Sequence, residues 1–493
     1  MNNLYESTRN ADIKITPSKA ILKGLSDDGG LFVLKDLASR NVDIKAMVGK
    51  DYYEIAKMVF KVLLPDFSEE EIDACVNNAY RGKFSNQEVT PLVKTSDGYV
   101  MELFNGPTSA FKDVGLQMLP QLTKTALVKN NEKEDILILT ATSGDTGKAA
   151  LAGFQDVEHT KVIVFYPYQG VSKVQEMQMR TQAGKNVKVV AIRGNFDDAQ
   201  SGVKNIFTDK DFNQQLAADN IRLSSANSIN IGRLIPQCVY YFYAYGKLVA
   251  DNAIKFGDKV NFVVPTGNFG DILAGYYAKL LGLPINKLVC ASNDNNVLYD
   301  FYNTGCYDRN RSFMKTISPS MDILISSNLE RLLYYMSDCD NTYINELMQD
   351  LARDGQYQVN EKILKRLHDE FAAGYATNED TAATIRKVYE KDGYLIDPHT
   401  AVAYKVLLDA PDQEHVSVVL STASPYKFTN SVYEAMHEAT KQDEFILMKK
   451  LNGETGVNIP ENLKDLDSKP ILHSDVIDVA EMKAYVAEKA KTI

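Results

Sequence analysis

No CxxC pair occurs in this 493-residue chain, whose five cysteines (Cys75, Cys238, Cys290, Cys306 and Cys339) are odd in number and far apart. That spacing argues against a disulfide framework and for a reducing compartment, the cytoplasm. The six histidines are equally scattered, with neither HxxxH nor HExxH spacing, so no metal centre is expected. No apolar run approaches the roughly 20 residues that cross a bilayer, and the opening MNNLYESTRNADIK has no apolar core after a basic start, so neither a membrane span nor a signal peptide is expected. Basic charge is also lacking. A net charge of -11 argues against a nucleic-acid partner, which needs a basic stripe to displace phosphate counterions, and fits anionic lipid poorly. An anionic substrate would have to meet positive groups gathered inside a pocket. Fixed-period repeats, low-complexity segments, GxGxxG and GxxxxGK[ST] are all missing, which disfavours a dinucleotide or ATP site.

What is present is an ordinary globular composition, 45% hydrophobic and 24% charged, in a chain long enough for two or three domains. The first 94 residues read as mostly helical: 51–64 (DYYEIAKMVFKVLL) has apolar residues at helical spacing, and 68–80 opens on a Ser cap followed by acids. From about residue 95 short apolar runs alternate with amphipathic stretches. The runs 136–139 (ILIL), 162–165 (VIVF), 187–192 (VKVVAI), 260–264 (VNFVV), 288–291 (LVCA) and 416–420 (VSVVL) read as buried strands. Such a pattern indicates an α/β fold with two parallel-rich open sheets flanked by helices. The stretch from about 305 to 395 is charged and helical, without clear strands, and reads as a helical insertion or cover.

In parallel α/β folds ligands sit beyond the carboxyl ends of strands. Three loops lie there: 140–147 (TATSGDTG), 265–271 (PTGNFGD) and 421–425 (STASP). The first two combine small residues with a following helix, so backbone N–H groups and the helix dipole favour an anion, either carboxylate or phosphate. A Gly-rich turn is also simply what an α/β unit requires; two such loops with hydroxyl and amide side chains favour a ligand. Lys112 follows a Gly-Pro turn and Phe111. A lone lysine is normally a solvated surface residue, but this setting could shield its amine and give a neutral nucleophile able to form an imine. Residues 225–233 (SANSINIGR) gather amides, hydroxyls and an arginine suited to phosphate, although Ser228 or Asn230 could equally cap the next helix. His399, in 397–404 (DPHTAVAY), is a candidate acid or base that could equally cap or pack.

Taken together, 103–113 (LFNGPTSAFKD), TATSGDTG, SANSINIGR, PTGNFGD, DPHTAVAY and 421–428 (STASPYKF), with 23–33 (KGLSDDGGLFV) near the start, resemble in content and order the motifs of the threonine synthase family, of the longer bacterial and fungal type. The resemblance spans nearly the whole chain. It implies a tryptophan-synthase-β-like (fold-type II) pyridoxal-phosphate enzyme with Lys112 as the Schiff-base lysine. Gly267, Asn268, Phe269, Gly270 and Asp271 would form the cofactor-phosphate loop, and Thr422 would face the pyridine nitrogen. Ser143, Asp145 and Thr146 would receive the substrate carboxylate; Asn227, Ser228, Asn230 and Arg233 would receive the substrate phosphate. The implied reaction converts O-phospho-L-homoserine and water to L-threonine and phosphate, in a monomer divided into an N-terminal, mostly helical domain (1–94), a large cofactor domain (95–134 and 206–445), a small domain (135–205) and a C-terminal extension (446–493). One departure is Ser424, where the family commonly has histidine. Alternatives are a related phospho-lyase or amino-acid dehydratase of the same fold, or a non-catalytic cofactor-binding relative.

Overall fold

A computed structural model describes residues 3–493. Two open sheets organise the chain. The larger has six strands in the order Phe371–Tyr375, Ile285–Ser292, Val260–Pro265, Val416–Ser421, Gly98–Glu102 and Leu92–Thr95, parallel except for the last antiparallel pair. The smaller has five parallel strands in the order Asp475–Asp478, Val187–Arg193, Thr160–Pro167, Asp135–Ala141 and Ile221–Ser224. All six Val/Ile-rich runs are strands in these two sheets. Apart from Lys188, Val289 and Val416, which are half-buried, their side chains are buried on both faces, as continuous apolar strands under helices are.

The amino-terminal helices follow from local chemistry. Asp51 caps helix Tyr52–Leu63, and Ser68 with Glu71 forms a complete capping box on helix Glu69–Tyr80. Between them and the amino terminus lies a small antiparallel sheet of Tyr5–Ser7, Lys14–Ile15 and Phe32–Val33.

Three features differ from the sequence reading. The 305–395 stretch is not purely helical: Cys306–Asp308 pairs with Gln356–Gln358, and Phe371–Tyr375 is an edge strand of the large sheet. Its sequence, FAAGY, has little β-branched character, so neighbouring packing rather than propensity makes it a strand. The small sheet continues past residue 205 to Ile221–Ser224. The carboxyl-terminal residues are no simple extension, because Asp475–Asp478 supplies an edge strand of that same sheet and helix Met482–Lys489 packs over it.

Candidate active site

Three helices begin at one cavity. Helix Lys112–Lys129 starts on Phe111, helix Asp145–Phe154 on Gly144 and helix Gly270–Leu280 on Phe269, and no side chain caps any of them. Many of the other helices carry a side-chain cap, among them those that start on Asp51, Ser68, Asn195 and Thr377, although Val297–Thr304 and Leu329–Met336 also lack one. An uncapped first turn leaves backbone donors and the positive end of the dipole to an anionic ligand. The cavity, of about 220 Å³, is lined by Lys112, Thr146, Asn227, Ser228, Arg233, Gly267 to Asp271 and Thr422, among others. An adjoining cavity of about 460 Å³ shares Lys112, Thr146, Asn227 and Asn268 with it and adds Ser143 and Asp145.

Lys112 is not the solvated lysine that base rates favour. Its Nζ lies 3.7 Å from Asp145 Oδ2, 3.5 Å from Ser320 Oγ and 4.5 Å from the centre of the Phe111 ring. Burial lowers its pKa; Asp145 opposes that shift, while Lys427 and Arg233 reinforce it. Burial thereby eases the loss of its proton. Asp145 is held in the opposite state. Burial alone would raise it, but Lys427 and Lys112 outweigh burial and keep the carboxyl well below the usual carboxylate range. Lys427, wholly buried, places Nζ 2.8 Å from Asp145 Oδ1 and also donates to the Thr108 carbonyl at 2.9 Å; Gln175 Nε2 donates to the same carboxylate oxygen at 2.9 Å.

The turn before Lys112 is fixed from the strand tail. Phe111 N donates to Thr422 O at 2.8 Å, Ser424 N donates to Ser109 O at 3.1 Å, and Ala110 bridges Ala423. Thr422 is therefore brought to the lysine although the two are remote in sequence. Ser424 is buried, and its Oγ accepts from Tyr426 N at 3.3 Å, capping the short turn Pro425–Phe428.

The 265–271 loop has the form of an anion cup. Phe269 takes a left-handed φ of 63°, and a Cβ on Gly267 would lie 2.7 Å from the Ser320 carbonyl, so only glycine fits that approach. Asp271 is buried with Oδ2 unpartnered, and burial pushes its pKa up to about 7 against the lowering influence of the Ile272 amide and Lys112. Opposite it, Arg233 donates Nη1 to Ala226 O at 2.6 Å, while its buried Nε has no partner. Burial alone brings this guanidinium down to about 10. A buried arginine with an unpartnered donor, lining the same cavity as an uncapped helix start, fits a phosphate-bearing group.

Asn230 is placed elsewhere, against expectation. Its Oδ1 accepts from Gly232 N at 2.9 Å and its Nδ2 donates to Ile21 O at 3.1 Å, so it caps helix Ile231–Ala250 and ties it to the amino-terminal region. It lines neither cavity. His399 does line the first. Its Nδ1 lies 2.6 Å from Asp397 Oδ2 and its Nε2 accepts from Ser320 N at 3.1 Å, which sets the ring orientation. Nothing in the sequence singles out Ser320, Gln175, Lys427 or Asn328 as part of the site. Lys427 stands inside the STASPYKF motif, but its burial is visible only once Asp145 is beside it.

A family model described as "Pyridoxal-phosphate dependent enzyme" matches residues 86–422, and models described as "Threonine synthase N terminus" and "Threonine synthase, C-terminal" match 4–80 and 400–486. Threonine synthase of Saccharomyces cerevisiae is 38% identical over 470 residues, covering 88% of this chain and 89% of that protein. The chain belongs to the threonine synthase family. The solved pyridoxal-phosphate-bound threonine synthase of Brucella melitensis superposes with a TM-score of 0.86 at 38% identity, covering 98% of this chain and 99% of that one. Human threonine synthase-like 1 is 39% identical over 85% of this chain, but the match spans only 58% of that longer relative. The amino-terminal model falls on the segment that precedes the two sheets, and the carboxyl-terminal model takes in a strand of each, Val416–Ser421 and Asp475–Asp478, so family membership rests on more than the lysine loop.

Among the described residues no cluster of His, Cys, Asp or Glu is arranged to hold a metal ion, and no helix is long and apolar enough to cross a membrane. All five cysteines are free.

Proposed function

We propose that the chain converts O-phospho-L-homoserine and water to L-threonine and phosphate, with pyridoxal phosphate held by Lys112. The observation that carries this reading is the meeting, around one buried lysine, of two candidate anion-binding sets: the uncapped 267–271 loop and Arg233 with Asn227 and Ser228. One phosphate belongs to the cofactor and one to the substrate, so both sets are needed.

When bound, pyridoxal phosphate supplies the electron sink for carbanion chemistry at the substrate. Gly267 to Asp271 would hold its phosphate, and Thr422 would offer a neutral hydroxyl to the ring nitrogen, a weaker partner than a carboxylate. Lys112 would serve as the base that takes the Cα proton on Nζ, and burial eases the loss of its own proton beforehand. The first turn of helix Asp145–Phe154, with Ser143 and Thr146, orients the substrate carboxylate. Asp145 is already paired with Lys427 and Lys112, so its role there is to fix Lys112 rather than to meet the substrate anion. Arg233, whose buried guanidinium lines the cavity, would retain the phosphate leaving from Cγ. The free cysteines are compatible with a reducing cytoplasm, and the family resemblance supports a monomer.

Lys112→Ala removes the only amine that this scheme uses. The expected outcome is loss of the visible absorbance of lysine-bound cofactor together with loss of turnover, read by spectrum and by phosphate release. Undiminished turnover in that variant would overturn the assignment.

A further inference from the structure

Two wholly buried side chains that touch neither cavity connect the loops that do. Asn328 starts helix Leu329–Met336 without capping it. Its Nδ2 instead donates to Asn268 O at 3.1 Å, in the 267–271 loop, and to Ser228 O at 3.3 Å, in the 225–233 loop; its backbone N also donates to Asn268 O at 3.1 Å. Arg331 extends the connection. Nη1 donates to Asn328 Oδ1 at 2.6 Å, Nη2 to Ile229 O at 2.6 Å and Nε to Phe32 O at 3.1 Å. A single Asn–Arg pair thus joins both anion loops to the amino-terminal motif that contains Phe32.

The physical consequence is at the peptide planes. A planar trans peptide points its N–H away from its carbonyl, so pinning the carbonyls of Asn268 and Ser228 fixes the N–H directions of Phe269 and Ile229. Both of those residues line the cavity. The loops also abut: a Cβ on Gly270 would lie 3.7 Å from both Asn328 Nδ2 and Ser228 Cβ. Every donor contact of Arg331 except that to Asn328 is to a backbone carbonyl, and a planar guanidinium with five donors in a fixed fork serves three acceptors at once where an ammonium cannot hold that geometry. Its neighbour Glu330 is engaged differently, by Arg9 at 2.8 Å and by Thr8, on the amino-terminal side.

We propose that Asn328 and Arg331 are positioning residues that set the separation and orientation of the two phosphate-binding loops, so that they govern recognition of phosphate groups without contacting them. This rests on the reading of those loops as phosphate sites. It assigns to the 305–395 region, through helix Leu329–Met336, a part in the site beyond that of a cover.

The test compares pyridoxal phosphate with pyridoxal, which can react with Lys112 but lacks the phosphate. Binding of each to cofactor-stripped protein is titrated by visible absorbance for the native chain, Asn328→Ala, Arg331→Lys and Glu330→Gln, with inhibition by inorganic phosphate measured on the holoenzymes. The native chain should prefer pyridoxal phosphate strongly. Asn328→Ala and Arg331→Lys should weaken pyridoxal phosphate and inorganic phosphate by roughly tenfold to a hundredfold while leaving pyridoxal within about twofold; Glu330→Gln should preserve the preference. Equal losses for pyridoxal and pyridoxal phosphate would mean general disruption and would overturn the proposal, as would an unchanged preference in both variants. A native chain without preference for the phosphorylated form would instead overturn the reading of the loops themselves.

Discussion

Burial acts on two neighbouring ionisable groups with opposite consequences for charge and the same consequence for chemistry. It lowers Lys112 and raises Asp271, so both are driven toward neutrality in a cavity built for anions. The sign for stability follows from proton counts. Asp271 is near 3.9 in an unfolded chain and about 7 in the folded one. Between those values the native state holds more protons than the unfolded state, so its contribution to stability falls as pH rises through that window and stays low above about 7. Asp271→Asn removes the dependence. In cofactor-free protein the variant should gain on the native chain by on the order of 2 kcal/mol more at pH 8 than at pH 5, measured by urea unfolding; an equal effect at both pH values would contradict the burial of a charge there. None of this was legible in the sequence. The spelling of the 265–271 loop announces an anion cup, yet it cannot show that Asp271 Oδ2 is sealed without a partner, nor that Asn230 turns away to Gly232 and Ile21.

Helices carry the site, and their spacing depends on missing atoms. Pro120 lies inside helix Lys112–Lys129 and has no N–H to give the Leu116 carbonyl. Gly153 of helix Asp145–Phe154 packs against that carbonyl, where a Cβ would stand 1.8 Å from the oxygen. The helix that bears Lys112 and the helix that bears Asp145 can therefore approach closely enough for their side chains to meet at 3.7 Å. Gly115 makes a similar approach to the Arg233 carbonyl, with a built Cβ at 3.0 Å. Gly153→Ala should push the two helices apart, costing about 1–3 kcal/mol in unfolding free energy and lowering turnover in the same variant. Unchanged stability by urea denaturation would show that the crossing is not tight. At this scale the sequence was informative where burial makes a strand continuous in Val and Ile, as at Val260–Pro265 and Val416–Ser421. It was silent where packing overrides propensity, as at Phe371–Tyr375, and where a short strand is completed by residues far along the chain, as with Asp475–Asp478 beside Val187–Arg193.

For the whole molecule, the segments outside the two-sheet body support the site from both ends of the chain. Phe32 O accepts from Arg331 on the amino-terminal side. On the carboxyl-terminal side Asn462 accepts from Ser109 Oγ at 2.8 Å and donates to Gly106 O at 3.3 Å, bracing the turn before Lys112, in which Ser109 has a left-handed φ of 58°. Phe32 and Asn462, each inside a family-model match, thus brace the loops that bind. The most direct measurement is of product, with purified holoenzyme and O-phospho-L-homoserine as sole substrate. The account predicts phosphate and L-threonine released in equal amounts. Phosphate accompanied by 2-oxobutyrate in place of threonine, or no phosphate from a protein that binds the cofactor, would contradict it.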